Sequence, residues 1–143
     1  MTRTARTSSI IPCLRYRVAP AAIEWLCTAF GFERHLVVPG EDNTIAHAQL
    51  ALADSMIMLG SAPHDGEYGK LVGLPEEFGG LNTQTIYVVV ADADAHHARA
   101  SAAGAQVIIP LTNQDYGGRD YTVKDCEGHV WTFGTYDPWR LPD

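Results

Sequence analysis

The sequence has little of what disulfide-linked, membrane-spanning or nucleic-acid-binding proteins need. Its three cysteines are odd in number and show no Cys-x-x-Cys spacing, which argues against a disulfide framework and fits a reducing, cytoplasmic location. No apolar stretch approaches the length of a membrane span, and none follows the early arginines as in a signal peptide. The formal net charge of −7 opposes non-specific nucleic-acid binding, which needs a basic face. We therefore expect the partner to be a small molecule or a second copy of the chain.

The first half of the chain predicts the order β-α-β-β-β. The chain has 143 residues, of which 46% are hydrophobic, and this is enough for a proper core. Residues 10–18 alternate as a strand does, and Pro20 opens a helix that Gly31 ends. Three further strands are predicted, over 34–39, 44–52 and 55–60.

The second half repeats this order. A strand over 83–91 precedes a helix that Asp92 or Asp94 caps and Gly104 ends. Three strands then follow, over 106–111, 119–124 and 129–136.

An internal duplication explains the repeated order. Residues 45–60 align with 119–134 without a gap at an offset of 74, which places Gly60 on Gly134. We divide the single domain into a first module over about 8–60, a linker over 61–82 and a second module over about 83–137. A linker this long is often functional, as a cover over a site or as a hinge through which two chains exchange halves.

Two segments carry a resemblance to a known family. The stretches "AIEWLCTAFGFE" (22–33) and "YGGRDYTVKDCEGHVWTFGTY" (116–136), set in tandem β-α-β-β-β modules, resemble the vicinal oxygen chelate superfamily, which contains glyoxalase I, extradiol dioxygenases and bleomycin-resistance proteins. The most specific element is "KDCEGHVWTFG", in which Cys126 replaces the proline that is usual in the family. The resemblance implies an α+β fold whose two modules form a curved mixed sheet or open barrel around a cavity.

The resemblance also implies where a metal would bind. Metal-using members carry ligands on the first and last strands of each module, and the matching positions here are Cys13, Met58, Thr85 and Thr132. Divalent ions prefer carboxylate and imidazole donors, which a thiol, a thioether and two hydroxyls do not supply. We therefore predict no metal and no other cofactor, with a divalent metal in a displaced site as the alternative.

The stretch "DCEGH" (125–129) packs several metal-binding residue types together but predicts a turn. Asp125 stands first and Gly128 fourth, as a type I turn prefers. His129 has the parity of Trp131, opposite to the cavity-facing Thr132.

Two arginines share the cavity-facing parity of the first strand. Arg15 and Arg17 alternate with apolar residues on the side of Cys13. One interpretation is a fork for a carboxylate or phosphate on a ligand. The other is a structural ion pair with Asp120 or Glu127, or exposure at the cavity mouth, because an unpaired buried charge is costly.

His47 and Gln49 lie together on one face and are the best polar candidates for contacting a ligand. His47 is the only plausible general base, although no catalytic residue can be assigned. A third donor that would complete a metal site is not visible. An adaptable apolar wall is predicted from thioethers and aromatic rings, namely Met56, Met58, Tyr87 and Tyr121. His96 and His97, on the second helix, are expected to be solvated.

These patterns favour a metal-free protein that binds a small neutral or anionic, partly aromatic molecule. The alternatives are a lyase or dioxygenase of the same superfamily, with a non-standard metal site or a His47 acid–base mechanism, and a protein whose main role is interaction with a partner. We expect no nucleic-acid or membrane partner. We also expect a homodimer, in which the modules of two chains are swapped or each chain keeps its own pair.

Overall fold

Alternating apolar residues give the first module a four-stranded sheet in the computed structural model, which describes residues 7–140. Its elements are β1 (Cys13–Tyr16), α1 (Ala19–Phe30), β2 (Glu33–Pro39), β3 (Ile45–Leu52) and β4 (Ser55–Ser61). The strand order is β1-β4-β3-β2, with β1 parallel to β4 and the other pairs antiparallel.

The second module repeats this arrangement. Its elements are β5 (Ile86–Val89), α2 (Ala93–Ala102), β6 (Gln106–Asn113), β7 (Arg119–Lys124) and β8 (Val130–Gly134). The strand order is β5-β8-β7-β6, with β5 parallel to β8. The predicted α+β fold of two β-α-β-β-β modules is confirmed. Within residues 7–140 no strand pairing joins the two sheets, so the chain does not close a barrel by itself.

Helix boundaries follow the capping residues that the sequence predicts. Gly31 ends α1 in the left-handed region, at φ 89°, where an L side chain would be strained. Asp92 caps α2, because its side chain accepts a hydrogen bond from the backbone N–H of Ala95 at 3.0 Å. Neither helix in the described part of the chain is long and apolar enough to cross a bilayer.

The first strand of each module is shorter than predicted. The segment 10–18 narrows to Cys13–Tyr16 and the segment 83–91 to Ile86–Val89. Pro12 has no N–H to give to a strand ladder, although its carbonyl still accepts a bond from Met58 N–H at 2.9 Å. The linker is also less irregular than predicted, since it contains 3-10 helices over Glu67–Leu71 and Pro75–Phe78.

The two modules share one hydrophobic core on the helix side of their sheets. Each helix packs on its own sheet, and the two helices contact each other. Phe30 of α1 meets Phe133 and Trp131 of β8 with ring centroids 4.7 and 5.3 Å apart. We call this helix side of each sheet its inner face and the opposite side its outer face. Because the modules meet through their inner faces, the two outer faces point away from the shared core.

The ungapped repeat fails at the turn between the last two strands of each module. Leu52 pairs with Ser55 across a two-residue turn, whereas Lys124 pairs with Val130 across five residues. Side chains alternate along a strand, so an odd difference in turn length inverts the faces of β7 relative to β3. The prediction that Tyr121 lines the cavity is therefore wrong. Tyr121 pairs with Phe133 and lies on the inner face, fully buried.

Candidate functional site

The outer face of the first sheet gathers six of the residues predicted for the site. They alternate with buried residues along three adjacent strands, and they are exposed or half-buried: Cys13, Arg15, His47, Gln49, Met56 and Met58. Cys13 and Gln49 flank Met58 in register on either side of β4. The thioethers Met56 and Met58 and the polar residues His47 and Gln49 thus form one continuous patch.

A chain of hydrogen bonds links two imidazoles on this patch. His47 Nε2 lies 3.0 Å from Gln49 Oε1, and Gln49 Nε2 lies 3.1 Å from His35 Nδ1. The amide of Gln49 thereby fixes the orientation of both rings, because its oxygen accepts from one ring and its nitrogen donates to the other. His35 does not follow from strand parity, since β2 changes register between Arg34 and Leu36.

Arg15 lies flat against the first sheet. It pairs in register with Gly60, and a Cβ on Gly60 would lie 2.3 Å from Arg15 Nη1. The guanidinium carbon also stands 5.2 Å from the ring centroid of Tyr68, in the linker. Neither of the acids proposed as its partner from the sequence, Asp120 or Glu127, pairs with it. Arg17 instead makes an ion pair with Glu76 at 2.5 Å.

The outer face of the second sheet carries hydroxyls and one acid. Tyr87 pairs in register with Thr132, and Thr132 Oγ1 lies 2.8 Å from Thr122 Oγ1. Beside them the buried carboxylate of Asp120 accepts bonds from Gln114 Nε2 at 2.9 Å and from Tyr116 O–H at 3.4 Å. Asp120 and Thr122 were not assigned to the site from the sequence, because the ungapped repeat gave β7 the wrong parity.

Thr85 is displaced from its predicted position. It is exposed and precedes β5, so it lies outside the sheet. In the first module Cys13 pairs with Met58 between the parallel strands β1 and β4, and in the second module Tyr87 pairs with Thr132 between the parallel strands β5 and β8. The counterpart of Cys13 is therefore Tyr87, two residues beyond Thr85. The alignment was misplaced because the apparent strand over 83–91 begins three residues later than its composition suggests.

The buried Tyr121 and the half-buried His96 form a polar link on the inner face. Tyr121 O–H donates to His96 Nδ1 at 2.6 Å, and His96 Nε2–H donates to the carbonyl of Phe30 at 3.0 Å. The expectation that His96 is solvated is therefore wrong. Burial lowers the pKa of His96 and raises that of Tyr121. Both groups are neutral at pH 7 and connect the two modules.

The stretch "DCEGH" forms a turn, as predicted. Gly128 N–H donates to the carbonyl of Asp125 at 3.1 Å. Asp125 is buried and accepts bonds from Tyr16 O–H at 2.6 Å and Trp131 Nε1–H at 3.1 Å. Glu127 accepts from the backbone N–H groups of Arg17 and Val18 at 2.6 and 2.9 Å. The acids of this turn therefore hold the modules together.

The donor groups do not fit the metal that the fold family implies. The two in-register pairs that correspond to a metal position present a thiol, a thioether, a phenol and a hydroxyl, from Cys13, Met58, Tyr87 and Thr132. Within the described residues no three His, Cys, Asp or Glu side chains converge on a point where an ion could bind. Burial and the neighbouring Asp125 and Glu127 raise the pKa of Cys126 to about 12, which keeps this thiol protonated at neutral pH.

Two surface cavities are lined by residues other than the predicted site residues. One, of about 610 Å³, lies between α1 and the "DCEGH" turn and includes Trp25 and Cys126 among its lining residues. The other, of about 820 Å³, lies beside Tyr116, Gly118 and Tyr136. None of the ten predicted site residues lines either cavity.

Comparison with known proteins agrees with this architecture. The family model described as Glyoxalase/Bleomycin resistance protein/Dioxygenase superfamily matches residues 11–133. The chain belongs to this superfamily. It is 35% identical to the protein Mb0911c of Mycobacterium bovis over 116 residues, which cover 81% of this chain and 75% of that protein.

Two solved structures of this superfamily fold illustrate the similarity. TioX from Micromonospora sp. ML1 superposes with a TM-score of 0.69 at 33% identity, covering 89% of this chain and 94% of TioX. The bleomycin-binding protein of Streptomyces verticillus, solved with copper(II)-bleomycin, superposes with a TM-score of 0.62 at 17% identity. That match covers 94% of this chain and all of the other, and it shows the fold alone.

Proposed function

We propose that this superfamily member binds a small neutral or anionic, partly aromatic molecule on the outer faces of its sheets, without a metal. The observation that carries the proposal is the donor set at the in-register pairs Cys13–Met58 and Tyr87–Thr132. Such a set binds divalent ions weakly, whereas thioether and phenol groups suit an apolar or planar ligand.

The chemistry of the outer faces supports a ligand of mixed character. Met56 and Met58 supply an adaptable apolar surface, and Gln49 with its two bonded imidazoles supplies donors and acceptors. The bleomycin-binding protein, which shares the fold, holds a drug complex. By analogy of fold alone, sequestering a small molecule is a reasonable activity for this chain.

We further propose that a homodimer encloses the ligand. Apolar side chains on the outer faces remain exposed in the single chain. On the edge strands β2 and β5, Leu36, Val38 and Val89 are exposed over 41–47% of their surface. Pairing the outer face of one chain with that of a second copy would cover them and create a closed cavity. Analytical ultracentrifugation that shows only monomer at micromolar concentration would refute this part of the proposal.

A second candidate function rests on the His35–Gln49–His47 chain. An imidazole whose orientation is fixed by a hydrogen bond can act as a general base, so His47 could serve a lyase or dioxygenase reaction of the superfamily. With an added donor it could also hold a metal in a non-standard site. We rank this candidate below binding because the described residues bring no third imidazole, thiol or carboxylate to this pair.

The decisive experiment combines metal analysis with a ligand screen, using protein purified without a histidine tag. We expect substoichiometric zinc, nickel and iron, and a higher unfolding midpoint with at least one anionic or aromatic compound. A ligand at about 100 times its Kd stabilises the native state by about 2.7 kcal/mol, which raises the midpoint of a chain of this size by roughly 8 °C.

Matched variants show which residues are responsible for the ligand-induced rise in the unfolding midpoint. Met58→Ala and Gln49→Ala are expected to reduce the shift, while Glu24→Ala, at an exposed position of α1, leaves it unchanged. Stoichiometric metal that His47→Ala abolishes would instead support the enzyme. A flat midpoint across a broad panel would argue against ligand binding altogether.

A further inference from the structure

Arg15 differs from every other arginine in residues 7–140 in having no polar partner. Four of the others form ion pairs, namely Arg17, Arg34, Arg119 and Arg140. Arg99 donates to the backbone carbonyls of Thr28 and Cys27 at 2.8 and 3.0 Å. Arg15 makes no hydrogen bond through its guanidinium and has no carboxylate within 4.0 Å in this part of the chain. Its guanidinium instead lies over the ring of Tyr68. A guanidinium has five N–H donors, and here all of them are available.

The side chain is nevertheless held in place. Gly60 has no Cβ, and this allows Nη1 to lie where a side chain at position 60 would stand. The guanidinium carbon also lies over the ring of Tyr68, 5.2 Å from its centroid. A guanidinium that contacts a sheet and an aromatic ring presents its N–H groups at its edge rather than at its faces. The entropy cost of ordering this side chain is thus largely met before any ligand arrives.

The surroundings of Arg15 favour a negative ligand. Its strand neighbour Cys13 is exposed, and the adjacent β4 carries Met58 and Gly60 at the paired positions. The nearest polar network on this outer face is the His35–Gln49–His47 chain, which contains no carboxylate. Glu33 pairs with Ala51 on this face, but it lies on β2, at the opposite edge of the sheet from β1. Asp120, on the outer face of the other sheet, already accepts bonds from Gln114 and Tyr116.

We propose that Arg15 is an oxyanion-binding residue, and that the first sheet binds the carboxylate of a planar aromatic acid with the ring of Tyr68 beside it. A carboxylate matches the edge of a guanidinium in a two-point contact. Tyr68 and Met58 supply the aromatic and thioether surfaces for the rest of the molecule. This inference rests on the proposed function and narrows its ligand to an anion.

The test compares benzoate with benzamide, which has the same shape but no charge. Titrations followed on the arginine Nε–Hε signals of 15N-labelled protein report which guanidinium the ligand meets. We expect benzoate to bind at least about tenfold more tightly than benzamide, which is the range for a charge-assisted contact. The Arg15 signal should shift, and the Arg17 signal should not.

Variants separate binding by Arg15 from a general effect of charge. In Arg15→Gln the preference for benzoate should fall to about one, and Arg15→Lys should keep only part of it, because an ammonium lacks the two-point geometry. Arg17→Gln removes an equal charge two residues away and should match the wild type. Gly60→Ala removes no charge but displaces the guanidinium, so it should also weaken the preference.

The outcomes distinguish this inference from the proposed function. Equal binding of benzoate and benzamide, or a preference that survives in Arg15→Gln, would overturn the assignment of Arg15 while leaving a neutral ligand possible. Failure of both compounds to bind would overturn the aromatic-acid assignment, and the broad thermal-shift panel would then decide whether the protein binds small molecules at all.

Discussion

The inner and outer faces of the two sheets differ in how their polar groups are satisfied. On the inner side the polar groups that cross between modules meet defined partners, as Asp125 does with Tyr16 and His96 with the carbonyl of Phe30. In the described residues no buried side-chain nitrogen or oxygen lacks a partner. On the outer side Arg15 has no polar partner, and apolar side chains such as Val89 stay exposed.

This difference separates stability from binding within one small chain. A buried group without a partner costs free energy, so the inner faces can hold polar residues only as complete pairs. Apart from the buried Asp120, the groups of the outer faces carry no such constraint, because water satisfies them until a ligand or a second chain replaces it. Substitutions on the inner side should therefore change unfolding free energy, and those on the outer side should change binding.

The largest expected effect is at Asp125. Replacing it by alanine removes the acceptor for four donors and leaves the buried Tyr16 hydroxyl and Trp131 indole N–H without a partner. We expect a loss of about 3–5 kcal/mol in unfolding free energy, measured by urea denaturation. Glu24→Ala, which removes only an exposed ion pair with Arg34, should cost less than about 0.5 kcal/mol. A loss below 1 kcal/mol at Asp125 would mean that the modules are not held together through this carboxylate.

The role of Asp125 shows where sequence reasoning succeeds and where it stops. The turn was predictable, because Asp and Gly stand at the positions that such a turn favours. The partners of its carboxylate were not, because Tyr16 is 109 residues away and no local pattern indicates which residues meet across a module interface.

The order of strands was predictable because it also follows from local sequence patterns. The sheet face on which each side chain lies was harder to predict. Strand composition and helix caps give the β-α-β-β-β order of both modules. Assigning Tyr121 to a face required the length of the following turn, and a difference of an odd number of residues reversed the answer. His35 could not be placed either, since a register shift in β2 breaks its alternation.

A smaller effect is expected at His96, and it should depend on pH. His96→Leu removes the acceptor for Tyr121 O–H and the donor to Phe30, so we expect a loss of about 1–3 kcal/mol at pH 7. Burial, with a smaller contribution from Arg99, lowers the pKa of His96 in the native state. The unfolded chain therefore binds the proton first as pH falls.

The sign of this pH dependence follows from linkage. The stabilisation from neutral His96 is fully present above the ordinary histidine pKa of about 6.5 and is lost as pH falls from there toward the lower native pKa. Urea denaturation of the wild type between pH 7 and pH 5 should show this loss, and His96→Leu should show a shallower slope. Parallel slopes in the two proteins would mean that His96 is not the group responsible.

The smallest effect is expected on the outer face of the second sheet, at Thr132. Thr132→Val removes one side of the bond to Thr122, but both residues are only half-buried and water can replace the lost partner. We expect a change within about 0.5 kcal/mol in unfolding free energy, since surface substitutions rarely exceed this. The same variant should alter the thermal shift caused by a ligand, because Thr132 lies beside Tyr87 on the proposed binding surface. A large loss of stability with unchanged ligand response would reverse the assignment of this face, making it part of the structural core rather than of the site.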